Sequence, residues 1–187
     1  MAQLDFAYDD PSGIYGAISA SGVLRDDEPE PLGLLLNAGY ARQLAPATTV
    51  DFGVIHSTYS RYSSSGQNNS YTEIYAGVAH KWLSSRVYLS PHYFAPGAWT
   101  LYGEVNGNVS PARKWTIDGH VGVLVPLRTP AAYESSRAEY DWRIGATREL
   151  GPLSLHVTWT DGAPGHDYYR GYRHSRSALI LGASWVL

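Results

Sequence analysis

The chain has 187 residues and a formal net charge of −3, contains no cysteine, and combines 15 Tyr, 6 Trp and 19 Gly with only 3 Phe and 1 Met. That length suffices for one domain with a sizeable core. The missing cysteines exclude a disulfide framework and thiolate metal sites, and the charge gives no reason to expect a nucleic-acid partner. No apolar run approaches the roughly 20 residues of a membrane helix, so helical spanning is excluded.

Taken in chain order, alternating apolar and polar residues predict strands near 2–8, 13–24, 32–43, 48–61, 70–82, 85–94, 98–109, 114–125, 138–149, 153–160 and 176–187. A period of two is the signature of a strand with one apolar and one polar face. Aromatic and glycine enrichment suits such an all-β chain, and no segment carries a capped helical stripe. The N-terminus, Met1-Ala2-Gln3-Leu4-Asp5, shows neither the basic nor the apolar region of a signal peptide.

The connections alternate in length. Asp9–Ser12, LAPAT, LSS, SPARK and LGP are short, whereas the acidic 25–31 segment, YSSSGQNNS, LRTPAAYESSRAE and DGAPGHDYYRGYRHS are longer, with APGA at 95–98 the weak member. Greek-key sandwiches give no reason for this alternation. An up-and-down transmembrane β-barrel does, because its short turns gather on one rim and its long loops on the other.

The faces agree. Trp115, Ile117, Gly119, Val121, Val123 and Val125 oppose Lys114, Thr116, Asp118, His120, Gly122 and Leu124; Trp99, Leu101, Val105 and Val109 oppose Tyr102, Glu104, Asn106 and Asn108. A soluble barrel of about eleven strands would be too wide for Ala, Val and Gly to fill. Lipid outside and a polar lumen inside is the economical solution. Glu73, Tyr75, Arg86, Tyr88, Glu104, Asp118, His120, Asp141 and Arg143 are then expected to line the lumen. Trp82, Trp99, Trp115, Trp142 and Trp185, near strand ends, are expected at the lipid interface. Gly122 and Val123 point oppositely, so arginine should be tolerated better at Gly122 unless crowding intervenes.

Strand parity adds one expectation. With eleven strands the first begins on the long-loop rim and the last ends on the short-turn rim, whereas single-chain bacterial barrels have even strand numbers. The chain is thus expected to be a single barrel domain over 1–187, with eleven visible strands of a twelve-stranded barrel and the first N-terminal strand lacking.

The blocks LDFAYDDPSGIYGAISAS, SYTEIYAGVAHKW, VYLSPHYF, TLYGEVNGNVS, GHVGVLVPL and YDWRIGATRELGPLSLHVTW resemble the TorF-like porin family, also called Gcw_chp, of proteobacterial outer-membrane proteins. The resemblance covers nearly the whole chain and implies a location and a fold, with little chemistry. It implies a further strand before the part matched by Ala2–Asp5, resembling SDYxFRGxS. His92 stands where the family usually has Asp, and the chain ends Trp185-Val186-Leu187 where an aromatic residue is common.

Enzymatic readings fare poorly. In His56-Ser57 and His174-Ser175 the neighbours point to opposite faces, so neither dipeptide makes a nucleophile–base pair. Asp161, His166, Asp167 and His174 lack tight ligand spacing. No catalytic residue, metal or cofactor is therefore assigned. The 168–173 segment, Tyr-Tyr-Arg-Gly-Tyr-Arg, suits a glycan, another protein or lipopolysaccharide. The expectation is an outer-membrane barrel that meets lipid and lipopolysaccharide and passes small solutes. Its alternatives are a non-conducting barrel with a plugged polar lumen and, behind both, a lipid-modifying enzyme.

Overall fold

Every period-two segment forms a strand. The computed structural model describes residues 2–25, 28–60, 69–93, 96–128, 137–162 and 177–186, with no helix among them. The strands are β1 (Ala2–Asp9), β2 (Ile14–Arg25), β3 (Glu28–Ala45), β4 (Thr48–Tyr59), β5 (Asn69–His80), β6 (Leu83–Ser90), β7 (Trp99–Ala112), β8 (Trp115–Arg128), β9 (Glu139–Leu150), β10 (Leu153–Gly162) and β11 (Ser177–Trp185). They form one eleven-stranded sheet in sequence order, β1 through β11. Neighbours are antiparallel wherever their register is described, from Phe6↔Ile18 at one end to Val157↔Leu181 at the other.

The short turns share one rim, and their backbone explains their tightness. Gly13 has a φ of 98°, and a Cβ there would run into the Ala41 carbonyl oxygen, so only glycine fits. The next turns carry Ala47, Lys81 and Lys114 at φ 63°, 51° and 67°, and Gly151 at 69°. In the first turn the Asp10 carboxylate accepts the Ser12 amide at 2.8 Å and the Tyr8 hydroxyl at 3.1 Å. Hydrogen bonds from Ser12 hold this exposed carboxyl below the ordinary aspartate range.

One boundary differs from expectation. The acidic, proline-bearing 25–31 segment is mostly strand: Val23↔Glu30, Leu24↔Pro29 and Arg25↔Glu28 extend the β2–β3 hairpin past a bulge at Ser21/Gly22. Pro29 and Pro31 lie beyond Gly33↔Tyr59, the last described pair between β3 and β4. Among the described residues that side of β3 makes no ladder bond beyond Leu32, so proline there takes no donor from a described pair.

The sheet is strongly curled. Asp9 of β1 and Asn106 of β7 line one cavity of about 440 Å³. In a flat sheet, six strand spacings would separate them by about 29 Å. The concave side holds the polar residues and the convex side the apolar ones. Among the described residues the buried set is Tyr75, Ala98, Ser57, Ser90 and Thr100 with the glycines Gly122 and Gly145, whereas Phe6, Phe52, Ile74, Val121, Ile144, Leu181 and many others are exposed. This inverts the usual partition of a globular domain, in which Leu, Ile and Val fill the core.

The curl does not close on itself. β1 and β11 are the edges of the sheet, and no described pairing joins them. As odd-numbered strands of a meander they run in the same direction, so direct contact would form a parallel seam in an otherwise antiparallel sheet. The fold is therefore an all-β, antiparallel, open sheet of eleven strands.

Candidate functional site

Side chains from β2 to β9 converge on the concave face in a continuous polar layer. Its axis is a row of tyrosines set by register: Tyr75↔Tyr88 and Tyr88↔Tyr102 are direct cross-strand partners. Their ring centroids lie 5.7 and 5.9 Å apart, within the range of favourable tilted aromatic contact.

At one end of the row, Arg86 Nη2 donates to Asp51 Oδ2 at 2.5 Å, and its guanidinium lies 5.1 Å from the centroid of the Tyr75 ring. Asp51 also accepts the Tyr15 hydroxyl at 3.2 Å. Tyr15 and Tyr75 bond through their hydroxyls, and Tyr75 donates to Asn37 Oδ1 at 3.1 Å. Four strands, from β2 to β5, and β6 are thus tied across the concavity. Charge-assisted bonds of this type are the stronger members of such networks.

At the other end, His120 is held from both sides, with Nδ1 at 2.7 Å from Asn106 Oδ1 and Nε2 at 2.7 Å from Asp141 Oδ1. Tyr102 donates to Asp141 at 3.2 Å, and Tyr88 donates to Glu104 Oε1 at 2.9 Å. Two further pairs are looser, Arg143 Nε to Asp118 Oδ2 at 3.6 Å and His120 Nδ1 to Glu104 Oε2 at 3.9 Å.

Glycines make room for these groups. A Cβ at Gly53 would stand 2.5 Å from the Tyr75 hydroxyl, and one at Gly39 2.8 Å from the same oxygen. Tyr102 and Asp141 cover Gly122, Asp118 covers Gly145, and His156 covers Gly182. The glycines are gaps into which neighbouring strands fold their long side chains, a device known from edge-glycine rescue by aromatics. Gly122 is consequently no open position on the concave face: Tyr102 and Asp141 crowd it, which is the condition under which arginine is not expected to be tolerated there.

The layer has space on both sides. Toward the long-loop rim, Tyr71, Glu73, Tyr88, Tyr93, Tyr102 and Asp141 border a cavity of about 390 Å³. Toward the short-turn rim, Tyr15, Asp51, Arg86, Glu104 and Asn106 border the 440 Å³ cavity.

The structure thus places Glu73, Tyr75, Arg86, Tyr88, Glu104, Asp118, His120, Asp141 and Arg143 on one face and joins most of them by contacts. Tyr15, Asn37 and Asp51 were not singled out from sequence, because their partners lie up to three strands away. Their shared parity with Ala17, Gly39 and Gly53 was the available signal.

Trp82 lies in the β5–β6 turn, Trp115 opens β8 and Trp185 closes β11, all at the short-turn rim. Trp99 opens β7, and Trp142 is the fourth residue of β9, both toward the other rim. Trp159, which is not among the expected interface tryptophans, stands edge-on to Trp142 at 5.1 Å and donates its Nε1 proton to Ser177 Oγ at 2.6 Å. His56 points outward to Thr72 Oγ1 at 2.9 Å while Ser57 is buried on the concave side, so the dipeptide is divided between faces. The Tyr–Arg segment at 168–173 and the candidate ligands His166, Asp167 and His174 lie outside the described residues.

The chain belongs to a bacterial protein family of unknown function, Gcw_chp, whose model matches residues 2–186. No curated protein and no solved structure matches it.

Proposed function

We propose that this chain is the membrane-spanning part of an outer-membrane β-barrel whose concave face lines an aqueous lumen for the passive passage of small solutes. The observation that carries the proposal is the inverted partition of the sheet. Its convex face exposes Phe6, Ile18, Leu34, Phe52, Ile74, Val121, Ile144, Leu155 and Leu181, while its concave face holds the Arg–Asp pairs and tyrosines. An apolar surface this continuous far exceeds what a soluble monomer exposes.

Strand length and aromatic placement favour the same reading. A transmembrane strand needs about 9–11 residues at a tilt near 45°, and β4, β5 and β9 have 12 each and β7 and β8 have 14. Tryptophans at both rims match the paired aromatic girdles of such barrels. Lipid would meet the convex face, and lipopolysaccharide the long-loop rim. In the bilayer the free edges of β1 and β11 would leave backbone groups unsatisfied, so closure by a further strand running from the short-turn rim to the long-loop rim is part of the proposal.

The Tyr15–Tyr75–Asp51–Arg86 bonds cross the concavity between the two cavities and could seal it, making a non-conducting barrel of structural role. Conductance in planar bilayers separates the two: discrete steps support passage, and an intact, folded, silent protein supports the sealed barrel.

A further inference from the structure

The Arg86 guanidinium shows how the concave wall holds a cation. It rests on the Tyr75 ring at 5.1 Å and pairs with the Asp51 carboxylate at 2.5 Å, combining a cation–π contact with a charge-assisted bond. The cavity on the long-loop side repeats these ingredients. Tyr71 and Tyr93 meet edge to face at 5.0 Å, Tyr88 and Tyr102 continue the row at 5.9 Å, and Glu73 and Asp141 supply carboxylates. None of its described lining residues is a lysine or arginine.

Glu73 is the distinctive member. It has neither a hydrogen bond nor an ion pair among the described residues, although it is only partly exposed. A partly desolvated carboxylate without a partner gains more from an arriving cation than one already paired. The cavity, at about 390 Å³, is within the usual range for a small-molecule site.

We infer that this cavity binds a small organic cation of the guanidinium or alkylammonium class, its charge set against Glu73 and its body against the tyrosine rings. The site deepens the proposed lumen role by naming a solute class, and it lies on β5 to β9, away from the unpaired edges. It needs only that solvent reach the concave face; conductance decides the pore reading and leaves this one untouched.

The test uses the full chain folded in detergent micelles, with methylguanidinium and tetramethylammonium as probes and methanesulfonate as the anionic control. Calorimetry should show saturable binding of both cations and none of the anion. Glu73→Gln, nearly isosteric and checked for native migration on unboiled gels, should weaken binding at least tenfold, and Glu73→Asp should restore part of it. In the unaltered protein, tetramethylammonium should shift the ring resonances of Tyr71, Tyr88, Tyr93 and Tyr102 and leave Tyr8 and Tyr40 on the convex face unmoved. Absence of saturable cation binding, equal binding by Glu73→Gln, or shifts spread evenly over all tyrosines would overturn the inference.

Discussion

The Tyr75 hydroxyl occupies the space that a side chain at Gly53 would need: a Cβ built there would lie 2.5 Å from it. The contact couples β4 to β5 at a register position, Gly53↔Tyr75, and it lets Tyr75 become the most buried aromatic residue described, 4% exposed. Gly103, on the convex face of β7, has no atom within 4 Å of its hypothetical Cβ.

Alanine should therefore act oppositely at the two positions. Gly53→Ala must displace the Ala38 carbonyl oxygen as well as the Tyr75 ring and its bonds to Tyr15 and Asn37, and overpacking of this kind typically costs about 1–3 kcal/mol. Gly103→Ala should be neutral or slightly stabilising, since a strand glycine carries an entropic cost near 0.5–1 kcal/mol. Urea titrations in micelles compare them, and equal losses would mean that the glycines are not recesses.

The Arg86–Asp51 pair gives a second expectation. Arg86→Met leaves Asp51, 14% exposed, with Tyr15 as its remaining partner. Breaking a fully buried pair costs about 3–5 kcal/mol; because the Arg86 side chain is 40% exposed, about 1–2 kcal/mol is expected. Asp51→Asn should cost less, and a double-mutant cycle should return a coupling above 0.5 kcal/mol. A coupling of zero would reduce the pair to an incidental contact.

How much of this was legible in the sequence depends on distance along and across the sheet. Period-two alternation located each strand to within a few residues, because parity is a local property of the chain. It failed at Glu28–Pro31, where Pro and acidic residues read as loop and cross-strand pairing with Val23–Arg25 prevailed. Parity also put Glu73 through Arg143 on one face. It could not show that Tyr15 meets Tyr75 or that His156 covers Gly182, since those contacts depend on curl and register between strands. Eleven strands and their parity were visible, and that parity already spoke against a regular seam between β1 and β11, which the open sheet leaves unpaired.

The separated edges yield a third expectation. If a further strand lies between them, cysteines placed at Leu4 and Leu181 on the two edges should not cross-link in the folded protein, and supplying an amphipathic strand ahead of β1 should raise the unfolding temperature in micelles. Efficient cross-linking with no gain from the added strand would instead indicate a closed eleven-stranded barrel with a parallel seam.

The assignment of faces can be tested on one strand. Ile144 is exposed on the convex side of β9, and Thr147 lies on the concave side opposite His156. With lipid outside, Ile144→Arg puts a charge into hydrocarbon, at about 2–4 kcal/mol near the midplane, whereas Thr147→Arg reaches the aqueous lumen and should lose less than 1 kcal/mol in vesicle unfolding titrations. A larger loss at Thr147 would put the apolar face against protein.

Whether the convex face meets lipid is read directly by sedimentation of the folded chain with and without detergent. A lipid-facing convex surface should give a monodisperse, folded species in micelles that aggregates when detergent is removed. A monodisperse, folded chain in plain buffer would contradict it.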